Sequence, residues 1–495
     1  MNLIQKSKIT VLCTLLSWVI YFAHAQPPSQ GANFSYNREI KLKKVTYSGT
    51  NLTLVKDDIS DIDYTPSWNS DDGKSNPISY SSGSKLSITA EFELSCNGLN
   101  LDKIRLQPYF VGTEDIPVMK FKAKKPTCTS PNCSDRSGGK YILEYTAESP
   151  VAFTSKKICY AENFGLKWKV SFDGGGIQED IPNISSNELY VTWKKPHEDD
   201  QYKYFHSLFH LTCKRFNGVI VQDENELIGL IWKLFKKDVW TNDANPNLYR
   251  KSDAKLFKYY EFPYNTAGTT SELLKDVGGQ CGSFASLFRN MLQIHGKSLG
   301  FQNKVSVEAN PTIITAAGYR YVNICGQDRN IDDVHFMIKN WQFNGPTPPP
   351  NNNAPSCSTM PYRLATTFNT ANSNNKLGGS YQVGSLYYHY TFLDVKDQIG
   401  ITGQNSFNPN SWFWNHVIVK IGNTFYDPSY GVIYNNETDM VPNIAGWSIP
   451  LDAVTEIQYG GDIDGDGVLS ASKKFWVWAS TKNANTIGLK FNFSN

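Results

Sequence analysis

The residue best suited to covalent chemistry is Cys281, which lies in the run Gly278-Gly279-Gln280-Cys281-Gly282-Ser283. From Phe284 onward, apolar residues recur three and four positions apart, a pattern typical of a helix with one buried face. The two glycines end the preceding segment, so Cys281 is predicted at or just before the first helical turn. Free backbone N–H groups and the helix dipole there favour the thiolate, the nucleophilic form of cysteine. A small buried thiol or a disulfide partner is the alternative interpretation.

A histidine and an aspartate that could activate this thiol stand together later in the chain. Gly422-Asn423 is a two-residue hairpin signal between β-forming residues. If Ile421 pairs with Thr424, then His416 and Asp427 share one face of the hairpin as diagonal neighbours within side-chain reach. A three-residue loop would invert this parity unless a bulge restored it. The alternative is that His416 is a polar strand residue and Asp427 a turn residue.

A cysteine, a histidine and an aspartate in this arrangement perform nucleophilic catalysis. A base within hydrogen-bonding distance takes the thiol proton, and a carboxylate on its other nitrogen fixes the tautomer and stabilises the imidazolium. A backbone N–H group at the start of the Cys281 helix can stabilise an oxyanion.

These residues carry a resemblance to a known family. Gly279-Gln280-Cys281, Asn415-His416-Val417 and Tyr426-Asp427-Pro428 resemble the Cys, His and Asp motifs of the transglutaminase-like superfamily. The resemblance covers roughly residues 198–431. It implies a papain-like α/β core, with Cys281 on a helix as the nucleophile. It also implies His416 as the base and Asp427 as its orienting partner, both on adjacent strands.

Two departures from the family pattern bear on the reaction. Transglutaminases usually carry Trp directly after the cysteine, where this chain has Gly282. They also use an upstream Trp as an oxyanion donor, for which Trp240 is a candidate, with core packing as the alternative. Because the cross-linking signature is incomplete, hydrolysis of the acyl-enzyme is favoured over transfer to an amine.

The predicted function is that of a secreted thiol enzyme performing acyl transfer at amide bonds of a protein or peptide substrate, as a peptidase or amidase. One alternative is a transglutaminase that cross-links protein glutamines. Another is a non-catalytic scaffold for surface adhesion. No cofactor is required by this chemistry.

Other histidines compete for the role of base. His335 follows Asp332-Asp333 on a predicted strand and is the main rival, but no hairpin with an Asp-Pro follows it. His295 lies near the far end of the Cys281 helix, about 20 Å away at about 1.5 Å per residue, and cannot be the base. His206 and His210 have helical metal-ligand spacing, but their apolar neighbours favour a buried element and no third ligand accompanies them.

The first residues predict export. Lys6 and Lys8 precede an apolar run that ends at Phe22, and Ala23-His24-Ala25 precedes Gln26, which together describe a cleaved signal peptide over residues 1–25. The protein is therefore expected to be secreted or periplasmic. The apolar run is too short for a good membrane span. A net charge of +2 with 19% charged residues favours neither nucleic acid nor an acidic membrane as partner.

The remaining chain predicts an α+β multidomain protein. Residues 33–195 show short alternating strands, among them Lys85–Leu94 and Leu166–Phe172, which indicate an antiparallel, immunoglobulin-like β-sandwich. The transglutaminase-like domain is expected over residues 198–445, with a Pro/Asn-rich insertion near 344–380, and a β-rich tail over 446–495. Asp223 or Asn225 is predicted to cap one helix, a second helix is placed at Leu256–Tyr260, and a turn at Ser271–Leu274.

Cysteines and an acidic loop add two further expectations. Outside the leader the chain has eight cysteines, most of which should pair after export, and Cys128–Cys133, Cys96–Cys159 and Cys325–Cys357 are the suggested pairs. Asp462, Asp464 and Asp466, followed by Gly467, resemble a calcium-binding loop. Position 12 of that loop is Lys473 rather than a bidentate acid. Any calcium would be weakly bound and structural, and a plain acidic turn is the alternative.

Overall fold

The structure is a computed structural model, and it contains more strand than helix, so the predicted α+β class is confirmed. The residues that it describes are 38–51, 54, 56–57, 64–96, 100–110, 112–131, 139–197, 204–242, 244–259, 268–309, 321–324, 327–330, 335–338, 378–383, 386–393, 402–406, 412–413, 415–440, 444–451, 475–481 and 489–493. The predicted signal peptide and most of the predicted Pro/Asn-rich insertion lie outside these residues. Among the described residues, no helix has the length and apolar character needed to cross a membrane.

Among the described residues, ten strands make up the N-terminal part. They are β1 (Glu39–Ser48), β2 (Ser67–Asn69), β3 (Ile78–Ser81), β4 (Lys85–Cys96), β5 (Arg105–Phe110), β6 (Met119–Lys120), β7 (Thr127–Cys128), β8 (Gly139–Ala152), β9 (Cys159–Ser171) and β10 (Glu179–Thr192). They form two five-stranded sheets, in the orders β2-β1-β4-β8-β7 and β3-β10-β9-β5-β6. Neighbours are antiparallel except β3 and β10, which are parallel. These two strands are far apart in the chain, so no tight hairpin forces them to be antiparallel.

The two sheets pack through alternating apolar residues. The burial of β4 alternates along its length, as expected when one face of a strand meets a core. Trp168 of β9 is fully buried and makes edge-to-face contacts with Phe92 of β4 and Tyr145 of β8, at centroid distances of 4.9 and 5.3 Å. Since β9 belongs to one sheet and β4 and β8 to the other, these rings join the two sheets.

The following part begins with helices and continues with strands. Its helices are α1 (His206–Phe209), which continues as a π-helical turn His210–Lys214, α2 (Glu224–Trp232), α3 (Thr270–Asp276), α4 (Cys281–Gln293) and α5 (Glu437–Met440). Its strands are β11 (Lys258–Tyr259), β12 (Gly278–Gly279), β13 (Lys304–Ala309), β14 (Tyr321–Ile324), β15 (Gln327–Asn330), β16 (His335–Ile338), β17 (Gly378–Val383), β18 (Leu386–Leu393), β19 (Trp412–Phe413), β20 (Asn415–Ile421), β21 (Thr424–Asp427), β22 (Val432–Tyr434), β23 (Ile444–Leu451), β24 (Phe475–Thr481) and β25 (Leu489–Phe493).

Three kinds of sheet arise from these strands. A five-stranded sheet has the order β22-β21-β20-β13-β25, and a six-stranded sheet the order β17-β18-β24-β23-β16-β19. Two short ribbons pair β11 with β12 and β14 with β15. Helix α4 packs against strand β20 and against helices α2 and α3. The nucleophile candidate and the histidine candidate therefore lie on elements in direct contact.

The buried apolar residues of the described part form two hydrophobic clusters. Both clusters include residues of strand β10. One lies between the two N-terminal sheets. The other joins the helices to β13, β20 and β21, and includes Tyr190 of β10 and Trp193, which directly follows that strand. The indole N–H of Trp193 donates to the carbonyl of Val221 at 2.8 Å. The predicted domain boundary near residues 195–198 stays a prediction.

Two local predictions about the helical region are wrong. Leu256–Tyr260 was expected to be helical, but Lys258–Tyr259 is strand β11, because it pairs with the distant Gly278–Gly279. The turn expected at Ser271–Leu274 is helix α3, which begins with a complete capping box between Thr269 and Glu272. This Thr-x-x-Glu pattern is a helix start signal.

Helix α4 departs from the expected single buried face. Every one of its residues except Ser286 is buried, including the polar Arg289, Asn290 and Gln293. The reason is that α4 packs against several elements, and oxygen atoms outside the helix accept from its polar side chains. Arg289 and Gln293, for example, both donate to the carbonyl of Leu299.

We expect Gly431→Ala to destabilise the fold far more than Gly422→Ala. Both glycines have left-handed φ, +66° and +61°, which costs other residues about 1–2 kcal/mol. A Cβ at Gly431 would lie 2.4 Å from the carbonyl oxygen of Phe235, whereas none of the described atoms lies within 4 Å of one at Gly422. Urea unfolding of both variants should therefore show a loss above about 2 kcal/mol only for Gly431→Ala. Equal losses would show that the close approach at Phe235 does not matter.

Candidate active site

Cys281 is placed by the chain that leads into α4. Helix α3 ends at Asp276, and Val277 has a left-handed φ of 53°, a conformation that β-branched residues rarely adopt. The carbonyl of Val277 accepts from Lys258 N–H at 2.8 Å, and β12 then pairs with β11. Helix α4 begins at Cys281, so the predicted position of this residue in the first helical turn is confirmed.

The hairpin that carries the histidine and the aspartate has the predicted register. Ile421 pairs with Thr424, and Val419 pairs with Tyr426, so Gly422-Asn423 is the two-residue turn. Strand β20 also pairs with β13, which places His416 opposite Val307. This register brings His416 and Asp427 to the same face of the sheet.

His416 and Asp427 form a buried pair. His416 Nε2 lies 2.8 Å from Asp427 Oδ2, and both side chains are 0% exposed. The other carboxylate oxygen of Asp427 accepts from the backbone N–H of Ser429 at 3.1 Å. Both oxygens of Asp427 are thus engaged, and the imidazole is held with its second nitrogen, Nδ1, turned away from the aspartate.

Cys281 lies beside the imidazole of this pair. It is a free thiol and 6% exposed. Burial by itself would lower the pKa of His416, but the negative charge and hydrogen bond of Asp427, together with the Cys281 side chain, outweigh burial and raise that pKa to about 10. His416 Nδ1 is buried and has no hydrogen-bond partner among the described residues. The structure therefore brings together all three residues that the sequence nominates.

Two aromatic rings that the sequence did not nominate pack against the imidazole. The Phe413 ring lies 4.7 Å from that of His416, centroid to centroid, at an angle of 38°. The Tyr430 ring lies 5.7 Å away. Tyr430 closely follows Asp427 in the sequence, and this proximity could have identified Tyr430 as a residue of the site. These rings restrict rotation of the imidazole and exclude water from it.

The groups that could stabilise an oxyanion differ from those that the resemblance implies. The indole N–H of Trp240, the candidate donor, instead donates to the carbonyl of Phe235 at 3.2 Å. A Cβ at Gly282 would lie 3.3 Å from the carbonyl oxygen of Gly268, so the chain at Gly268 lies where a larger residue would project. Gln280 makes no side-chain capping bond to α4. The N–H groups at the start of α4 are the remaining candidate donors, apart from those of Ser283 and Phe284, which donate to the carbonyl of Gln280.

The other histidines have structural partners. His295 accepts from the backbone N–H of Trp193 and contacts Thr212 Oγ1 at 3.0 Å, and burial lowers its pKa to about 3. His206 contacts Glu188 and Tyr190, and His210 contacts Tyr190. These contacts join α1 and the π-helical turn that follows it to strand β10.

The remaining sequence candidates are only partly covered. His335 lies on strand β16, and the structure describes only its backbone. The proposed calcium ligands Asp462, Asp464 and Asp466 lie outside the described residues. Within the described ranges, no group of three or more His, Cys, Asp or Glu side chains is placed to hold a metal ion.

One suggested disulfide is wrong. Cys96 and Cys159 are both free thiols. Cys96 ends β4 and Cys159 begins β9, which belong to opposite sheets, and packed sheets are about 10 Å apart. A disulfide requires a Cα separation below about 7 Å. The pairs Cys128–Cys133 and Cys325–Cys357 stay predictions, since each includes at least one residue outside the described part.

Comparisons of the chain with protein-family models, with curated proteins and with solved structures gave no match. The function is therefore inferred from the geometry of the site.

Proposed function

We propose that the protein is a thiol hydrolase that cleaves amide bonds of a protein or peptide substrate through Cys281, His416 and Asp427. The observation that carries this proposal is the buried His416–Asp427 pair with Cys281 beside its imidazole, at the start of a helix. The architecture is proposed to be a β-sandwich followed by a papain-like core, as in the transglutaminase-like superfamily. Export of the protein, from its N-terminal sequence, remains part of the proposal.

Acylation begins from a thiolate–imidazolium pair, in which His416 holds the proton that Cys281 has given up. The raised pKa of His416 favours the imidazolium, and Asp427 stabilises it by charge and hydrogen bonding. The thiolate attacks the amide carbonyl, so a C–S bond forms and the carbonyl oxygen becomes negative. When this intermediate collapses, the C–N bond breaks and the imidazolium gives its proton to the departing amine.

Deacylation restores the enzyme. His416 takes a proton from water, and the resulting hydroxide attacks the thioester carbonyl. A C–O bond forms, the C–S bond breaks, and the carboxylic acid product leaves with Cys281 again as thiolate. No oxidant, reductant or metal enters this sequence of steps.

An amine acceptor would give cross-linking instead of hydrolysis. Two local features favour water. Gly282 lies against the carbonyl of Gly268, where a transglutaminase would carry Trp, and the Trp240 N–H is bonded to Phe235. Gly282 therefore does not reproduce the Trp that follows the cysteine in transglutaminases, and Trp240 does not reproduce their oxyanion donor.

The test follows three kinds of product from one incubation. The mature protein is mixed with a set of protein substrates and a tagged primary amine, and mass spectrometry monitors new chain ends, deamidated glutamines and tagged glutamines. Cleavage or deamidation without tagging is the expected result. Tagged glutamines would replace the hydrolase with a cross-linking enzyme. Absence of all three products would favour a scaffold without catalytic activity.

A further inference from the structure

Gln404 connects the turn that follows Asp427 to the strand pair that leads into Cys281. It lies in the short segment of residues 402–406 and is fully buried, with 0% exposure. Burying an amide without hydrogen bonds is costly, so a buried glutamine is expected to bond at every polar atom. Gln404 does so: its backbone N–H and C=O and both side-chain polar atoms have partners.

Two of these bonds hold the turn that follows Asp427. The side-chain amide of Gln404 donates to the carbonyl of Pro428 at 2.7 Å, and its backbone N–H donates to the carbonyl of Ser429 at 3.0 Å. Ser429 N–H in turn donates to Asp427 Oδ1. Gln404 thus fixes the backbone that determines the orientation of the Asp427 carboxylate.

A third bond connects Gln404 to the segment that supports Cys281. The carbonyl of Gln404 accepts from Tyr259 N–H at 2.8 Å. Tyr259 belongs to β11, which pairs with the Gly278–Gly279 strand that leads into Cys281. The same residue therefore bonds to the support of the carboxylate and to the support of the thiol.

The remaining bonds anchor Gln404 to a third part of the chain. Its side-chain amide also donates to the carbonyl of Phe235 at 2.9 Å, and its side-chain carbonyl accepts from Asn245 Nδ2 at 2.8 Å. Asn405 has a left-handed φ of 54°, and its side-chain oxygen accepts from Asn245 N–H at 2.6 Å. At Gly403, an added Cβ would lie 2.4 Å from the Tyr259 ring, so only glycine permits this close approach.

We propose that Gln404 is a positioning residue of this site, which sets the placement of the His416–Asp427 pair relative to Cys281. This inference rests on the proposed function for its effect on rate. If Gln404 had a purely structural role, its substitution would change only the stability of the fold. A positioning role requires that the substitution also changes the geometry of the site while the fold remains intact.

The test is Gln404→Met, which retains the approximate length of the side chain and removes its hydrogen bonds. Gln293→Met is the matched control. Gln293 is also buried and donates to a backbone carbonyl, that of Leu299 at 3.0 Å, but it lies at the opposite end of α4 from Cys281. For the full mature chain, we expect Gln404→Met to lower kcat by about 100-fold with little change in KM, because small misplacements of reacting groups have effects of this size.

The second readout requires no substrate. An NMR titration of His416 in the folded protein should show a lower pKa in Gln404→Met than in the wild type, and an unchanged pKa in Gln293→Met. The inference is overturned if both variants lose similar stability while kcat and the His416 titration stay at wild-type values. If Gln404→Met does not fold, Gln404→Asn, which withdraws the amide by one methylene, undergoes the same two measurements.

The two readouts separate this inference from the proposed function. A wild-type protein that hydrolyses nothing would overturn the proposed function, while a shifted His416 titration in Gln404→Met would still support the positioning role. Normal hydrolysis with an unshifted titration in Gln404→Met would overturn the positioning role and leave the proposed function in place.

Discussion

Cys281→Ala is expected to reduce hydrolysis of amide substrates by about 10⁴-fold or more. Without the sulfur no acyl-enzyme forms, and only substrate binding and oxyanion stabilisation remain to accelerate the reaction. The loss should lie in kcat, since the thiol acts on the reacting carbonyl, and the measurement is a progress curve with a substrate cleaved by the wild type. The fold should be unaffected, because the substitution removes a single atom at the start of α4.

Cys96→Ala is the matched control for this result. Cys96 is also a buried free thiol, but it lies in the N-terminal sheets, and burial raises its pKa. Its replacement should leave the rate unchanged. Alkylation with iodoacetamide at neutral pH provides a separate check: Cys281 should be modified before Cys159, whose pKa burial raises to about 12. Full activity in Cys281→Ala, or an equal loss in Cys96→Ala, would exclude Cys281 as the nucleophile.

The parts of the site that the sequence predicted depend on short-range patterns. The Gly422-Asn423 turn has a conformation that few other residue pairs adopt, so it determined the hairpin register and placed His416 beside Asp427. The start of α4 at Cys281 followed equally from the glycines before it and the apolar spacing after it. Both patterns involve residues adjacent in the chain, where stereochemistry decides the outcome.

The parts that the sequence missed depend on distant partners. Lys258–Tyr259 is a strand only because Gly278–Gly279 pairs with it, and no local pattern announces that pairing. Gln404 resembles any other residue of a polar Asn/Gly-rich segment until the three parts of the chain that bond to it are assembled around it. The buried polar residues of α4 are similar, since hydrophobic spacing assigns them to solvent. Tertiary contacts thus determine the supports of the site, whereas local chemistry determines its reacting groups.

Asp427→Asn is the second substitution with a large expected effect, a loss in kcat of about 10³- to 10⁴-fold. Asparagine has nearly the same shape and can still accept a hydrogen bond, but it has no charge. Without that charge, burial should dominate and lower the pKa of His416, so the imidazolium that protonates the departing amine becomes rare. Steady-state kinetics measures the loss in kcat, and an NMR titration of His416 measures the change in pKa.

The same substitution should change how stability depends on pH. The pKa of His416 is about 10 in the folded protein, above its ordinary value of 6.5, so protonation of His416 stabilises the fold. This contribution is fully present below pH 6.5 and is lost as the pH rises toward about 10. Urea unfolding should therefore show a decline in stability over this range that is smaller in Asp427→Asn. Buried thiols such as Cys159 titrate in both proteins, so the difference between the two isolates the His416–Asp427 pair.

Asp57→Asn distinguishes the loss of this pair from the loss of any buried carboxylate. Asp57 is also buried and accepts from the backbone N–H and hydroxyl of Ser207, at 3.0 and 2.7 Å, away from the candidate site. It should retain the wild-type rate and the wild-type decline in stability between neutral and alkaline pH. If Asp427→Asn behaves like Asp57→Asn in both measurements, Asp427 does not control the protonation of His416, and the proposed acid–base role of the pair fails. If the decline disappears only in Asp427→Asn while kcat falls, one electrostatic contact accounts for both stability and catalysis.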